Sequence, residues 1–229
     1  MSPAGSAEGG PLRVQYTGEL EQLALQVEMM GIVVDQNLER MREVLRSGDA
    51  ELAEAAIATD DEIDAMNVSL MERCYELLRR EAPVASDLRL IVSALRVTAE
   101  LERIGDLALR VVKLYPDHYI LQADPRSFDI LQTMADHAVQ RYRDALRAWS
   151  AQDLELAAAV ASEAQDAIAH TQLVEALLGY QGPDGVALTL RTMVAGQALD
   201  RIADHATILG ARVRYLITGD PDHLAAEVR

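Results

Sequence analysis

Apolar residues recur every three or four positions along most of this chain, which is the spacing of an amphipathic helix. In the first such stretch, from about Thr17 to Ser47, the apolar face consists of Leu23, Val27, Met30, Val34, Leu38, Met41 and Leu45. Five similar stretches follow it. The pattern predicts six long helices, over about residues 17–47, 49–80, 83–114, 127–150, 153–180 and 186–218.

Glycine and proline separate the predicted helices. Gly48 and Asp49 suit the end of one helix and the start of the next, and Pro83 suits the opening of the third. Pro116 and Pro125 bracket a polar stretch that predicts a linker. The expected organisation is a flexible N-terminus (1–13), a first bundle (14–116), the linker (117–125), a second bundle (126–220) and a loose C-terminus (221–229).

The two predicted bundles are related by an internal repeat. Residues 101–106, Leu-Glu-Arg-Ile-Gly-Asp, match residues 199–204, Leu-Asp-Arg-Ile-Ala-Asp, and each segment lies in the third helix of its half. Short connections make successive helices antiparallel neighbours. The sequence therefore predicts an all-α protein made of two tandem, repeat-related three-helix bundles, whose helices are about 45 Å long.

The charge and the cysteine content exclude several classes of partner and compartment. The chain has 229 residues, of which 37 are acidic and 21 basic, and the net charge of -16 repels nucleic acid and anionic lipid. The single Cys74 can form no internal disulfide, and the first residues lack the apolar stretch of a signal peptide. No apolar run has the length of a membrane span. We expect a cytoplasmic protein that neither binds nucleic acid nor inserts into a membrane.

Three pairs of acidic residues, each pair one helical turn apart, fall on rows of apolar residues that are predicted to face the neighbouring helices. They are Asp60 and Asp64 in the second helix, Glu102 and Asp106 in the third, and Asp200 and Asp204 in the sixth. In the third helix, one such row, spaced by seven, is Leu88, Leu95, Glu102 and Leu109. Buried carboxylates are costly and neighbouring ones repel each other, so the pairs need either solvent or a cation. Carboxylate oxygens suit hard metal ions, including oxidised iron. We predict a metal site between the second and third helices, with solvated pairs as the alternative.

The corresponding set in the second half is less regular. Glu163 matches Asp60, but Ala167 occupies the position that matches Asp64. Asp166 lies three residues after Glu163 and is near enough to replace the missing acid. His170 lies on the same row as Glu163 and is a further candidate ligand. A lone histidine on such a face is more often a hydrogen-bonded core residue, and that interpretation stays open.

Two segments of the chain resemble a known family. Residues 83–90, Pro-Val-Ala-Ser-Asp-Leu-Arg-Leu, and residues 99–106, Ala-Glu-Leu-Glu-Arg-Ile-Gly-Asp, resemble the third helix of the PhoU family of bacterial phosphate-signalling regulators. Residues 199–206 resemble the sixth helix of that family, and the resemblance extends from about Val14 to Asp220. It implies two bundles, each with an E/D-x-x-x-D motif that binds multinuclear iron or other metals. The motif falls here on Glu102 and Asp106 and on Asp200 and Asp204.

The resemblance also implies a function and a set of partners. A PhoU-like protein is a negative regulator of the phosphate-starvation response. It acts as a metal-binding adaptor between the ATPase of the phosphate ABC transporter and a membrane sensor histidine kinase. A homodimer that binds iron or another divalent cation is therefore expected. These expectations follow from the resemblance and not from composition or periodicity.

Two other functions compete with this interpretation. A ferritin-like di-metal oxidoreductase uses Glu-x-x-His motifs, and none of the five histidines here has a glutamate three residues earlier. The chain also lacks a glycine-rich phosphate loop and a cysteine cluster, so an enzyme is not expected. The remaining alternative is a helical protein-interaction module without a functional metal. The metal content of the purified protein separates this alternative from the regulator.

Overall fold

Helices account for nearly all of the secondary structure in this computed structural model, which describes residues 9–80, 83–162 and 166–228. The helices are α1 (Gly9–Ser47), α2 (Ala50–Arg80), α3 (Ala85–Val112), α4 (His118–Leu121), α5 (Pro125–Ala151), α6 (Leu154–Ser162), α7 (Asp166–Gly179) and α8 (Gly185–Thr218). Two 3₁₀ segments, Tyr115–Asp117 and Pro221–Val228, complete the described part, which contains no strand. The predicted all-α class is confirmed.

The number of helices differs from the predicted six. The expected fifth helix is described as α6 and α7, on either side of residues 163–165, which lie outside the described part. The short helix α4 lies within the predicted linker, and residues 221–228, expected to be loose, form a 3₁₀ helix. The first helix begins at Gly9 rather than near Thr17. Thr17 lies inside the helix, where its hydroxyl donates to the carbonyl oxygen of Arg13.

Side chains and backbone conformation explain where several helices begin and end. Asp49 accepts hydrogen bonds from the backbone N–H groups of Glu51 and Leu52, at 2.8 and 3.1 Å, and so caps α2 as the sequence predicts. Asp124 accepts from the N–H of Ser127 at 3.1 Å and caps α5. At the end of α8, Gly219 takes a φ of 74°, a left-handed conformation that glycine adopts without steric cost.

The described helices form two groups that lie side by side, with three helices in the first group and four in the second. In the first half α1, α2 and α3 pack against one another, and in the second half α5 and α8 pack together with α6 and α7. The two groups meet where α3 packs on α8 and α1 packs on α5. One continuous apolar core therefore runs through both halves, from Leu23 and Val27 in α1 to Ile202 and Leu209 in α8.

The predicted linker packs against both halves, since α4 contacts α8 and the His118 side chain reaches α1. Leu121 is buried with 2 % of its surface exposed, and the Nε2 atom of His118 lies 3.1 Å from the carbonyl oxygen of Leu45. The His118 ring also meets Phe128 edge to face. A side chain on Gly48, whose φ is 69°, would overlap the His118 ring, so the turn between α1 and α2 accommodates the linker only as glycine.

No helix in the described part of the chain combines the length and the apolar character that crossing a membrane requires.

Replacing Tyr142 with phenylalanine tests the contact between the two groups of helices. The hydroxyl of this fully buried residue of α5 donates a hydrogen bond of 2.7 Å to the carbonyl oxygen of Gly31 in α1. Tyr142→Phe should lower the free energy of unfolding by about 1 kcal/mol, because the fold loses a buried hydrogen bond. The matched control is Tyr119→Phe, since Tyr119 is 71 % exposed. Equal stability of the two variants in urea unfolding would contradict the expectation.

Candidate functional site

The first-half acids meet where α2 packs on α3. A Cβ placed on Gly105 would lie 3.3 Å from Ile63 and 3.6 Å from the Oδ1 atom of Asp60, so the missing side chain lets the two helices approach beside the carboxylates. Burial raises the pKa of Asp60, and the carboxylates of Asp106 and Asp64 raise it further. Asp60, Asp64 and Asp106 are therefore close enough for their negative charges to repel one another.

The carboxylates of Asp60, Asp64 and Asp106 also interact with Glu102. Burial raises its pKa first, and the carboxylates of Asp106, Asp64 and Asp60 add to the increase, although Arg103 opposes it. Four like charges gather here and gain stabilisation from any cation that enters. An all-oxygen donor set of this kind fits a hard divalent or trivalent metal ion.

These acids lie at the edge of the helix packing and not within it. Asp60 and Glu102 are half-buried, whereas Asp64 and Asp106 are exposed. In the α3 row that contains Glu102, Leu88 is 43 % exposed, whereas Leu109 is buried. The description of these rows as inward-facing stripes is therefore corrected, because the core contacts of α3 come from neighbouring residues such as Ile91 and Ile104.

Within the described residues, no three histidine, cysteine, aspartate or glutamate side chains are arranged to hold one metal ion. The four acids of the first half are close enough to repel one another, but coordination requires their oxygens to turn toward a common point. Half-exposed side chains at a helix edge have the rotamer freedom for such a movement.

The second-half acids are arranged differently. His170 in α7 and Asp200 in α8 are in contact, with 2.5 Å between Nδ1 and Oδ2. Asp204 is exposed one turn further along α8. Asp166 is the first residue of α7, and Glu163 lies outside the described residues. His170 therefore forms a hydrogen bond with Asp200, as in the hydrogen-bonded alternative that the sequence left open.

A buried acid–histidine pair joins the two halves. The Oε2 atom of Glu100 in α3 lies 2.5 Å from the Nδ1 atom of His205 in α8, and these side chains are only 4 % and 10 % exposed. Arg103 donates to the other carboxylate oxygen of Glu100 at 2.7 Å. The sequence did not predict this pair, because its two residues lie 105 positions apart in the chain. The signal available was that Glu100 follows Val97 and precedes Ile104 at helical spacing.

The environment of Glu100 favours its charged form. Burial raises the pKa of Glu100, but the hydrogen bond and charge of His205 and the charges of Arg103 and Arg96 outweigh burial, so its pKa lies below the usual range. The pair therefore stabilises the fold fully above the unfolded-state pKa of the carboxyl group. That stabilisation is lost as pH falls through the lower, folded-state value.

Replacing His205 with alanine should destabilise the contact between the halves. At neutral pH His205→Ala should cost about 2 kcal/mol, less than the 3–5 kcal/mol of a fully orphaned buried charge because Arg103 still contacts Glu100. His137→Ala is the matched control, since His137 is exposed on α5. The difference between the variants in urea unfolding should shrink in acid, and Glu100→Gln/His205→Ala should cost less than the sum of its single changes. Additive costs would contradict the coupling.

Replacing Glu102 with glutamine should stabilise the metal-free chain. Its folded-state pKa is raised, so ionisation at neutral pH disfavours the fold, and stability is gained as pH falls through the raised value. Glu102→Gln should add on the order of 0.5 kcal/mol at pH 7, a small gain because the site is partly solvated. The gain should shrink as pH falls through the raised pKa and vanish below the unfolded-state pKa. Glu72→Gln, on an exposed face of α2, should show no such pH-dependent difference.

Comparison with known proteins shows which family the chain resembles. The model of the PhoU domain matches residues 27–114. The chain is 32% identical over 209 residues to the phosphate-specific transport system accessory protein PhoU homolog of Pseudomonas putida, covering 90% of this chain and 81% of that protein. It is 27% identical over 208 residues to the phosphate-specific transport system accessory protein PhoU of Escherichia coli K12, covering 90% of this chain and 86% of that protein.

Solved structures agree with the sequence comparison. The crystal structure of PhoU from Pseudomonas aeruginosa superposes with a TM-score of 0.85 at 29% identity, over 90% of this chain and 100% of that one. The phosphate transport system regulatory protein PhoU from Streptococcus pneumoniae shares the fold, with a TM-score of 0.80 at 24% identity, over 90% of this chain and 98% of that one. Since the match runs through both halves of the molecule, the chain belongs to the PhoU family.

Proposed function

We propose that this chain is an accessory regulator of a phosphate transport system that keeps the phosphate-starvation response switched off when phosphate is plentiful. The observation that carries the proposal is the match to transport-system accessory proteins along both groups of helices. A match of that extent includes the helices that carry the acids as well as the scaffold.

Metal binding by the acid pairs is the second part of the proposal. Asp60, Asp64, Glu102 and Asp106 would hold iron or another divalent cation between α2 and α3. In the second half the candidates are Asp200 and Asp204 with Glu163, Asp166 and His170. The raised pKa values of Asp60 and Glu102 support the first set, because groups that repel each other gain most from a cation. A bound ion would neutralise this charge and link the two helices.

The proposed partners are the ATPase subunit of the phosphate transporter and a sensor histidine kinase. A chain with a net charge of -16 is steered toward a basic partner surface, and salt should weaken that association. We propose that the chain acts in the cytoplasm as a homodimer and as an adaptor, without catalytic turnover. Differential binding to the two partners would then transmit the phosphate status of the cell.

A helical interaction module without a functional metal is the second candidate. The observation that favours it is the exposure of Asp64 and Asp106, since water can solvate both carboxylates without a cation. This candidate keeps the transporter and the kinase as partners and removes only the metal.

Complementation of a deletion strain tests the function and the metal together. Deletion of the gene should raise phosphate-responsive transcription in phosphate-rich medium, and the unmutated gene should restore repression. Asp106→Asn should lose bound metal in elemental analysis and at least part of the repression. Asp129→Asn is the matched control, because Asp129 is an exposed acid on α5, away from both acid sets.

The outcomes separate the two candidates. An unchanged phosphate response in the deletion strain, with neither the ATPase nor the kinase recovered from phosphate-replete cells, would overturn the regulatory proposal. Full repression by Asp106→Asn, with metal content equal to that of Asp129→Asn, would support the regulatory function and would favour the interaction module without a functional metal.

A further inference from the structure

An arginine-rich cleft lies between α3 and α8, and Asp106 is one of its lining residues. It has a volume of about 630 Å³, within the roughly 300–1,000 Å³ of cavities that take small ligands. Its charged lining consists of Arg96, Arg103, Arg110, Arg201, Glu100 and Asp106, with His205 beside Glu100. Four guanidinium groups thus face two carboxylates, which gives a positive cleft in a chain of net charge -16.

The spacing of the arginines favours an extended ligand. Arg96, Arg103 and Arg110 recur every seven residues, so they lie on one face of α3 at intervals of about 10 Å. Arg201 faces this row from α8. Guanidinium groups bind phosphate oxygens in a bidentate manner, and several in line match a ligand with several phosphate groups better than a single ion.

The acids of the cleft do not cancel its positive charge. Glu100 is buried, and its two oxygens are already engaged by His205 and Arg103. Asp106 is exposed at the edge that also faces Asp60. Among the described residues, neither Arg110 nor Arg201 has a hydrogen-bond or salt-bridge partner, so both can turn toward a ligand.

The overall negative charge does not exclude such a ligand. Surface charges further away than the screening length, about 8 Å at physiological ionic strength, contribute little to the field inside the cleft. A long nucleic acid would extend over the acidic surface, whereas a small anion would contact mainly the lining of the cleft, in which four arginines outnumber two carboxylates. We propose that this cleft binds a soluble anion that carries two or more phosphate groups.

Isothermal titration of the full-length chain with sodium tripolyphosphate tests the proposal at about 0.15 M salt. The double variant Arg110→Gln/Arg201→Gln should weaken binding at least about tenfold, because two charge-assisted contacts are lost. Arg79→Gln/Arg126→Gln changes the net charge equally at exposed positions outside the cleft, and it should bind like the parent protein. Equal weakening in the two double variants, or no binding by the parent protein, would overturn the proposal.

Four further titrations identify the ligand class. Inorganic phosphate and citrate should each bind at least about tenfold more weakly than tripolyphosphate, since neither presents phosphate groups to successive arginines. Equal affinity for either would overturn the assignment of a multiply phosphorylated ligand. If the chain bound vesicles containing phosphoinositide phosphates but did not bind tripolyphosphate, the proposal that the ligand is a soluble anion would be overturned. Addition of EDTA should leave tripolyphosphate binding unchanged, and its loss would show that a metal ion bridges the ligand to the acids.

Discussion

The packing of α3 against α8 is the contact on which the rest of the structure depends. Each of these helices buries one face in its own group of helices and another against the partner helix, and α1 on α5 adds a second contact between the groups. Ile104, Ile202 and Leu209 are essentially inaccessible to water as a result. Burial of apolar surface on this scale is the main source of stability, so the halves behave as one cooperative core.

The buried pair Glu100–His205 lies within this contact and makes it specific. Apolar side chains can slide along a helix face, whereas a charged carboxylate that is 4 % exposed requires its partner at one position. Arg103 donates a hydrogen bond to the other carboxylate oxygen of Glu100. Ion pairs between Arg143 and Asp35, 2.7 Å apart, add a more exposed link between α5 and α1. The register of the two halves is thus fixed by charge as well as by shape.

The same contact explains how an acidic chain separates its charges. One side of α3 places Glu102 beside Asp60 and Asp64 of α2, where the carboxylates raise each other's pKa. The side toward α8 carries the row of arginines. Asp106 lies where these two regions meet. A single helix therefore presents a cation-attracting edge and an anion-attracting cleft, because neighbouring residues project about 100° apart around its axis.

The sequence by itself determined the all-α class, most helix boundaries, the internal repeat and the acids that gather between α2 and α3. These features depend on local periodicity, on caps such as Asp49 and on proline, all of which act within a few residues. Only the tertiary structure decided which rows are buried. Leu88 is 43 % exposed while Glu100 is 3 % exposed, although the heptad pattern favours the opposite. Burial depends on where a partner helix lies, and for Glu100 the partner residue is 105 positions away in the chain.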